Sequence, residues 1–302
     1  MLIASNRCLN LDRVIDGQGN EDAFGDIRDE KLRFAEGMRQ ADGWRVALID
    51  EKTFQKTATA GSRNCVVYLH GFNKPFRDAL SDAAKIEEFY GVDVILFSWP
   101  SLIPDEFDRK QAYIKARTIA EASSAELGPC LQLCGQIGSS LGDQQRSLNL
   151  LAHSLGNYLL QKHLERCAGE ECKVGGLTNV VLSQADVDSD DHYRWVRTLR
   201  VAGGSVFVTI NTRDKKLAEA AEVLSSRRLG NTSPPDVQPE ITYVDFTEGE
   251  GVNSLHALWR DAVANAAAKG FFTAVFNGRR FPELADPQWF CKVLTLSPSA
   301  PL

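Results

Sequence analysis

The stretch Leu148-Asn149-Leu150-Leu151-Ala152-His153-Ser154-Leu155-Gly156-Asn157 decides how this sequence is interpreted. An apolar strand, Leu148–Ala152, leads into a turn of small residues, and an amphipathic helix, Ser154–Cys167, follows. The turn fits the pattern G-x-S-x-G except that Ala152 occupies the first glycine position, and a large residue there would clash with the strand or the helix. We therefore predict that Ser154 is a nucleophile on a strained strand-to-helix turn. The alternative is that Ser154 only caps the helix.

Strand and helix patterns alternate along most of the chain on both sides of this turn. Runs rich in Val, Ile and Leu, separated by longer amphipathic stretches, are typical of a mostly parallel sheet with helices on both faces, here of about eight strands. The predicted strands are Met1–Ser5, Trp44–Ile49, Cys65–Leu69, Val92–Phe97, Leu148–Ala152, Thr178–Leu182, Ser205–Ile210 and Ile241–Phe246. The predicted helices are Pro75–Tyr90, Phe107–Leu127, Ser154–Cys167, Ser189–Leu199, Asp214–Arg228 and Ser254–Ala268.

Two segments interrupt the alternation. Gly128–Gly142 contains four glycines and is predicted to be an exposed loop, and Gly230–Glu240 contains three prolines and is predicted to lack regular structure. Because the alternation continues through both, we predict one domain over residues 1–302, with an N-terminal strand region at 1–60 and a C-terminal extension at 270–302. The apolar segment Gly270–Phe276 in that extension either packs on the fold or forms a self-association patch.

Composition limits the class of protein and its partners. The chain has 302 residues, 43% of them hydrophobic, and a net charge of −6, so it is globular and has no overall attraction for nucleic acid or an anionic membrane. It lacks a membrane-spanning run and a signal-peptide pattern, which predicts a cytoplasmic protein. Seven irregularly spaced cysteines predict free thiols. No metal-ligand or phosphate-binding pattern is present, so we expect no metal and no cofactor.

A second motif, His70-Gly71-Phe72-Asn73, follows the predicted strand Cys65–Leu69. A loop at this place supplies one backbone N–H that binds the oxyanion of an acyl-transfer reaction, and the residue after the nucleophile supplies the other. We predict that the two donors are Phe72 and Leu155. The alternative is an ordinary turn at the end of a strand.

Three segments together resemble the α/β-hydrolase superfamily. They are VVYLHGFN at 66–73, VILFSWPS at 94–101 and LLAHSLGN at 150–157. Within the superfamily they are similar to a bacterial group of serine-esterase-like proteins catalogued as a domain of unknown function. The resemblance implies a three-layer α/β-hydrolase fold and hydrolysis through Ser154, but it does not specify a substrate.

The resemblance also implies a chain order of serine, acid and histidine. Five histidines are present, and three of them follow Ser154. His163 lies roughly 13 Å along the nucleophile helix, too far to reach back. His192 begins a helix before the next strand, whereas His256 follows the last apolar strand in a Gly-rich loop. We therefore predict His256 as the general base, and the alternative is a structural or helix-capping histidine.

Two positions compete for the acid. Asp214 follows the penultimate strand, where the superfamily usually places this residue, and we rank it first. Asp186 follows the preceding strand and is the alternative. Asp is also favoured at helix N-caps, so Asp214 has a purely structural explanation as well.

The same edge of the predicted sheet carries Trp99, which either lines the substrate pocket or anchors the core. His70 is a second candidate for substrate contact. The leading hypothesis is a serine hydrolase that cleaves a small-molecule carboxylic ester or thioester, with Ser154 as nucleophile and water releasing the acyl group. The alternative hypothesis is a catalytically inactive hydrolase-fold binding or scaffold protein, which Ala152 and the ambiguous acid leave open.

Overall fold

A computed structural model describes the chain at residues 1–167, 175–201, 205–232, 238, 240–279 and 292–294. Within these ranges the strands form an eleven-stranded sheet in the order β11-β10-β9-β8-β7-β5-β6-β1-β3-β4-β2. Numbered along the chain, they are β1 (Leu2–Leu9), β2 (Gln18–Gly19), β3 (Phe24–Gln40), β4 (Gly43–Ile49), β5 (Cys65–Leu69), β6 (Asp93–Ser98), β7 (Leu148–His153), β8 (Leu177–Ser183), β9 (Ser205–Ile210), β10 (Ile241–Asp245) and β11 (Lys292–Leu294).

The seven strands from β10 to β1 in this order run parallel. At one edge β3, β4 and β2 continue the sheet in antiparallel fashion, and β11 does so at the other. The predicted α/β class with a mostly parallel sheet is confirmed. The predicted number of strands is too low because β2, β3 and β11 were not predicted, and only three of the seventeen residues of β3 are buried. Such a half-exposed strand lacks the continuous apolar run that marks a strand covered on both faces.

Helices cover both faces of the sheet. They are α1 (Glu51–Ala60), α2 (Phe76–Tyr90), α3 (Arg109–Asp143), α4 (Gly156–Arg166), α5 (Tyr193–Val201), α6 (Lys215–Leu224), α7 (Leu258–Asp261) and α8 (Ala266–Phe276). One cluster of buried apolar side chains includes residues of α1, α3, α4, α5 and α6. A second cluster includes residues of α2, α7 and α8. Two cores separated by a sheet are the three-layer arrangement that the resemblance implies.

The segment Gly128–Gly142 is helical, so the prediction of an exposed loop there is wrong. It forms the second half of α3, with Pro129 inside the helix. Three of its four glycines, Gly128, Gly135 and Gly138, lie where a backbone or a ring approaches the helix closely. A Cβ added to Gly138 would lie 2.4 Å from the carbonyl oxygen of Gly176, and one added to Gly128 would lie 3.0 Å from the His163 ring. Glycine is therefore required here by packing rather than by a turn.

The predicted helix Ser254–Ala268 is also wrong, because the chain instead forms two helices, α7 and α8, separated by a short connection. The apolar segment Gly270–Phe276 lies within α8, and its three phenylalanines are buried against the sheet. The structure thus favours packing on the fold over a self-association patch. The segment Gly230–Glu240 begins in the short 3-10 turn Leu229–Asn231 and continues largely outside the described residues. The single-domain organisation stays a prediction.

Four cysteines of the described chain are free thiols: Cys8, Cys65, Cys130 and Cys134. Cys167, just after α4, is disulfide-bonded, so the prediction of free thiols is wrong at this position. Sequence spacing does not reveal this bond, because a disulfide depends on how closely two thiols approach in space. Cys172 and Cys291 lie outside the described residues.

Candidate active site

Ser154 lies in a tight turn between β7 and α4. Its backbone φ of 53° falls in the left-handed region, which is strained for a residue with a Cβ. A Cβ added to Gly156 would lie 2.5 Å from the carbonyl oxygen of Leu69 on the neighbouring strand β5, so only glycine fits there. This combination of a strained serine and a required glycine is the predicted strand-to-helix turn.

The side chain of Asn157, to which the sequence analysis gave no role, fixes this turn. Its Nδ2 donates to the carbonyl oxygens of Ala152 at 2.9 Å, Ser154 at 3.0 Å and Ser183 at 3.3 Å. One buried amide thus joins the end of β7, the turn and the end of β8, and it adds to the backbone N–H groups that the Ser154 and Ser183 oxygens already accept. An asparagine just inside the helix after the serine was the available signal in the sequence.

The loop after β5 lies directly against the serine. A Cβ added to Gly71 would lie 2.9 Å from the Cβ of Ser154. In the described part of the chain, the backbone N–H groups of Phe72 and Leu155 donate to no other protein group. The loop that carries Phe72 therefore packs on Ser154, and both predicted oxyanion donors have N–H groups that are not used within the described residues.

His256 and Asp214 meet near the serine. Nδ1 of His256 lies 2.6 Å from Oδ2 of Asp214, and the ring centre of His256 lies 4.9 Å from that of His153, the residue before Ser154. The Asp214 carboxyl is buried, and the His256 side chain is 14% exposed. With Nδ1–H donated to the carboxylate, Nε2 of His256 is the nitrogen available to accept a proton. The structure therefore brings together the predicted acid and base.

Asp186, the alternative acid, lies beside the nucleophile but has other partners. Its backbone N–H donates to the Ser154 carbonyl at 3.3 Å. Both carboxyl oxygens accept from the Tyr113 hydroxyl at 2.9 Å, and Nη1 of Arg228 lies 3.9 Å away. Burial raises the pKa of Asp186 above its ordinary value. Among the described residues, no hydrogen bond joins this carboxyl to His256, so the geometry favours Asp214 as the partner of that histidine.

His70 and Trp99 connect the loops that follow β5 and β6. Their rings stack with centres 5.5 Å apart, the Trp99 backbone N–H donates to His70 Nε2 at 3.2 Å, and the indole N–H donates to the His70 carbonyl at 2.9 Å. Both side chains are fully buried, and burial holds the pKa of His70 well below its usual value. The structure favours the core-anchor role for Trp99, while substrate contact by either residue stays a prediction.

The other histidines after the serine lie away from it. His163 packs on Gly128 of α3. Nδ1 of His192 lies 2.7 Å from the carbonyl oxygen of Ser189. His153 is buried behind the turn, where its Nε2 lies 3.2 Å from the His256 carbonyl oxygen. Burial, together with the nearby His256, lowers the pKa of His153 well below its ordinary value, so this ring is neutral at pH 7.

Comparison with known proteins agrees with this geometry. A family model described as "Alpha/beta hydrolase of unknown function (DUF900)" matches residues 49–265. The chain belongs to this alpha/beta hydrolase family. The family match includes Ser154, Asp214 and His256. It begins at residue 49 and therefore does not include β1, β2 or β3.

A search of solved structures finds a crystal structure of a provisionally assigned hydrolase from Agrobacterium vitis S4. The two chains are 11% identical, the match covers 82% of this chain and 94% of that one, and the TM-score is 0.35. No curated protein matches the chain.

Among the described residues, no helix is both long and apolar enough to cross a membrane, and no three His, Cys, Asp or Glu side chains are grouped to hold a metal ion.

Proposed function

We propose that this protein is a serine hydrolase that cleaves a small-molecule carboxylic ester or thioester through an acyl-enzyme on Ser154. The observation that carries the proposal is the 2.6 Å contact between His256 Nδ1 and Asp214 Oδ2. The His256 ring lies 4.9 Å from that of His153, the residue before a serine in a left-handed turn. Membership of an alpha/beta hydrolase family supports hydrolysis as the class of reaction. A base oriented by a buried acid next to a serine is the arrangement that activates a hydroxyl nucleophile.

The first half of the reaction forms the acyl-enzyme. The Ser154 oxygen attacks the carbonyl carbon while Nε2 of His256 accepts its proton, and the Asp214 carboxylate stabilises the resulting imidazolium. The N–H groups of Leu155 and Phe72 bind the negative oxygen of the tetrahedral intermediate. His256 then donates its proton to the leaving alcohol or thiol as the C–O or C–S bond breaks.

The second half repeats these steps with water. His256 accepts a proton from a water molecule that attacks the acyl carbonyl, and it returns the proton to the Ser154 oxygen as the acid product leaves. All proton transfers use this one histidine. The inactive-scaffold alternative rested on Ala152 and on the ambiguous acid, and the contact between Asp214 and His256 weakens the second of these grounds.

The proposal is tested by covalent labelling with a fluorophosphonate, which reacts only with an activated serine. We expect wild-type protein to be labelled, and Ser154→Ala and His256→Ala proteins to remain unlabelled. Ser81→Ala is the matched control, because Ser81 is an exposed helical serine that contacts only its own helix. Absence of labelling in folded wild-type protein would overturn the proposal.

A further inference from the structure

Arg7 is a fully buried arginine at the end of β1, in a region that the family match does not cover. Its guanidinium donates to four groups. Nε donates to the Ser98 hydroxyl at 2.9 Å, Nη2 to the Lys74 carbonyl at 2.7 Å, and Nη1 to the Gly25 carbonyl at 3.2 Å and the Asp26 carboxylate at 2.5 Å. Four of the five N–H donors of the planar guanidinium are therefore used at the point where β1, β3, β6 and the loop after β5 meet.

The Lys74 carbonyl belongs to the loop that carries the proposed oxyanion donor Phe72. Two residues of this loop are also joined to the loop after β6: the Asn73 N–H donates to the Ser101 carbonyl at 3.1 Å, and the Lys74 N–H donates to the Ser101 hydroxyl at 3.0 Å. Asn73 has a left-handed backbone with a φ of 58°. The loop is thus held in a strained conformation by contacts from outside it, and Arg7 supplies the shortest of them.

A buried cation at this place has a physical consequence for the site. Removing an arginine from water is unfavourable unless its donors are satisfied, and here every acceptor is fixed by a strand or by the loop itself. Burial lowers the pKa of Arg7 to about 10, so the group is still charged at neutral pH. The Lys74 carbonyl cannot move away without leaving a buried donor unpaired. The position of Phe72, two residues earlier, is restricted accordingly.

We propose that Arg7 is a positioning residue for the oxyanion-binding loop, through its hydrogen bond to the Lys74 carbonyl. It touches no reacting atom and acts through the placement of the Phe72 N–H. The inference rests on the proposed function, and it makes the N-terminal strands β1 and β3 part of the framework of the active site.

The experiment compares Arg7→Met with Arg28→Met. Arg28 is the cross-strand neighbour of Arg7 on β3, but its guanidinium binds Glu126 of α3, at 2.6 and 3.0 Å, instead of the loop. Ester hydrolysis is measured with p-nitrophenyl acetate, and binding of a tetrahedral oxyanion mimic is measured with an alkylboronic acid. Amide hydrogen exchange of the peptide covering residues 70–75 reports on the loop independently of activity.

We expect Arg7→Met to lower kcat by about 10–100-fold with little change in KM, because a displaced oxyanion donor affects the transition state most. Boronic acid binding weakens by a similar factor, and hydrogen exchange at residues 70–75 becomes faster. Arg28→Met changes none of the three. If Arg7→Met does not fold, Arg7→Lys replaces it, since one ammonium keeps the charge but cannot make the forked contacts.

Unchanged kcat, boronic acid binding and exchange in a folded Arg7 variant would overturn the inference. Equal changes in kcat and KM, with faster exchange throughout the protein, would do the same by indicating a general loss of structure. A wild-type protein that neither hydrolyses the ester nor reacts with a fluorophosphonate would instead overturn the proposed function, so the two failures are distinguishable.

Discussion

Asp214 divides its carboxylate between a helix and His256. Oδ1 accepts from the first N–H groups of α6, at 2.9 Å from Lys216 and 3.1 Å from Leu217, while Oδ2 lies 2.6 Å from Nδ1 of His256. The start of the helix therefore fixes the rotamer of the acid, and the acid fixes the tautomer of the base. The N-cap explanation of this aspartate is confirmed by its contacts, and the contact with His256 is the one that the predicted catalytic role requires.

Because Asp214 binds both α6 and His256, we expect the substitution Asp214→Asn to affect stability and catalysis differently. In Asp214→Asn the amide oxygen still caps α6, so the free energy of unfolding changes little. The side chain no longer carries the charge that stabilises the imidazolium and sets its tautomer. We expect kcat for ester hydrolysis to fall by about 10⁴-fold, by analogy with the loss of the acid from other serine triads. Steady-state kinetics and urea unfolding of the same protein test the two halves of this prediction.

Asp186→Asn is the matched control, because Asp186 is an equally buried carboxylate beside the nucleophile that contacts Tyr113 and Arg228. We expect it to lower stability, since it weakens a buried charged network, and to leave kcat within about 10-fold of wild type. Loss of activity in Asp186→Asn with retention in Asp214→Asn would reassign the acid to Asp186.

The strained turn predicts that Gly156 tolerates no side chain. The Cβ of Gly156→Ala would lie 2.5 Å from the Leu69 carbonyl oxygen and 2.8 Å from that of His70, so the turn or β5 must shift. We expect the variant to lose fluorophosphonate labelling and about 1–3 kcal/mol of stability. Ala152→Gly, which restores the glycine of the common pattern, should keep its labelling. Full labelling of Gly156→Ala would contradict the strained-turn interpretation.

The buried histidines predict a dependence of stability on pH. The pKa values of His70 and His153 are lowered well below 6.5, mainly by burial. Below pH 6.5 these rings bind protons in the unfolded chain but stay neutral in the folded one, so stability falls as the pH falls. Each contributes a slope of up to about 1.4 kcal/mol per pH unit.

Urea unfolding between pH 7.5 and 5.0 measures this slope. We expect His153→Gln to reduce the slope of stability with pH by up to about 1.4 kcal/mol per pH unit, which is the contribution of one proton. Glutamine preserves a polar side chain and does not titrate. An unchanged slope in that variant would show that His153 is protonated in the folded protein, in conflict with its burial.

The central strands of the sheet could be predicted from the sequence for a physical reason, and the three catalytic candidates were then placed relative to those strands. Strands covered on both faces must be apolar throughout, and Cys65–Leu69 and Ser205–Ile210 were predicted with the bounds that β5 and β9 have. The chain order that the family resemblance implies then selected Asp214 and His256. In contrast, most residues of β3 are exposed or half-buried, and its sequence gave no continuous apolar signal.

The role of Arg7 could not be predicted from the sequence in this way. Its partners come from β3, β6 and the loop after β5, and the most distant of them, Ser98, is 91 positions away in the chain. No local pattern predicts that one arginine will be buried by contacts of such range. The glycines of α3 were misinterpreted for a related reason. Glycine serves both turns and close packing, and only the neighbouring backbone at Gly175 and Gly176 distinguishes the two.

That distinction predicts opposite effects of the same substitution at two positions of α3. In Gly138→Ala the new methyl would lie 2.4 Å from the Gly176 carbonyl oxygen, and this backbone atom cannot rotate away, so we expect a loss of about 1–3 kcal/mol. Gly142 has nothing within 4 Å of its added Cβ and lies in the last turn of the same helix. Gly142→Ala should therefore be neutral or stabilising by up to about 1 kcal/mol, because alanine restricts the unfolded chain. Urea unfolding of both variants measures the contrast. Equal effects would contradict the close helix-to-backbone packing, since helix propensity alone favours alanine at both positions.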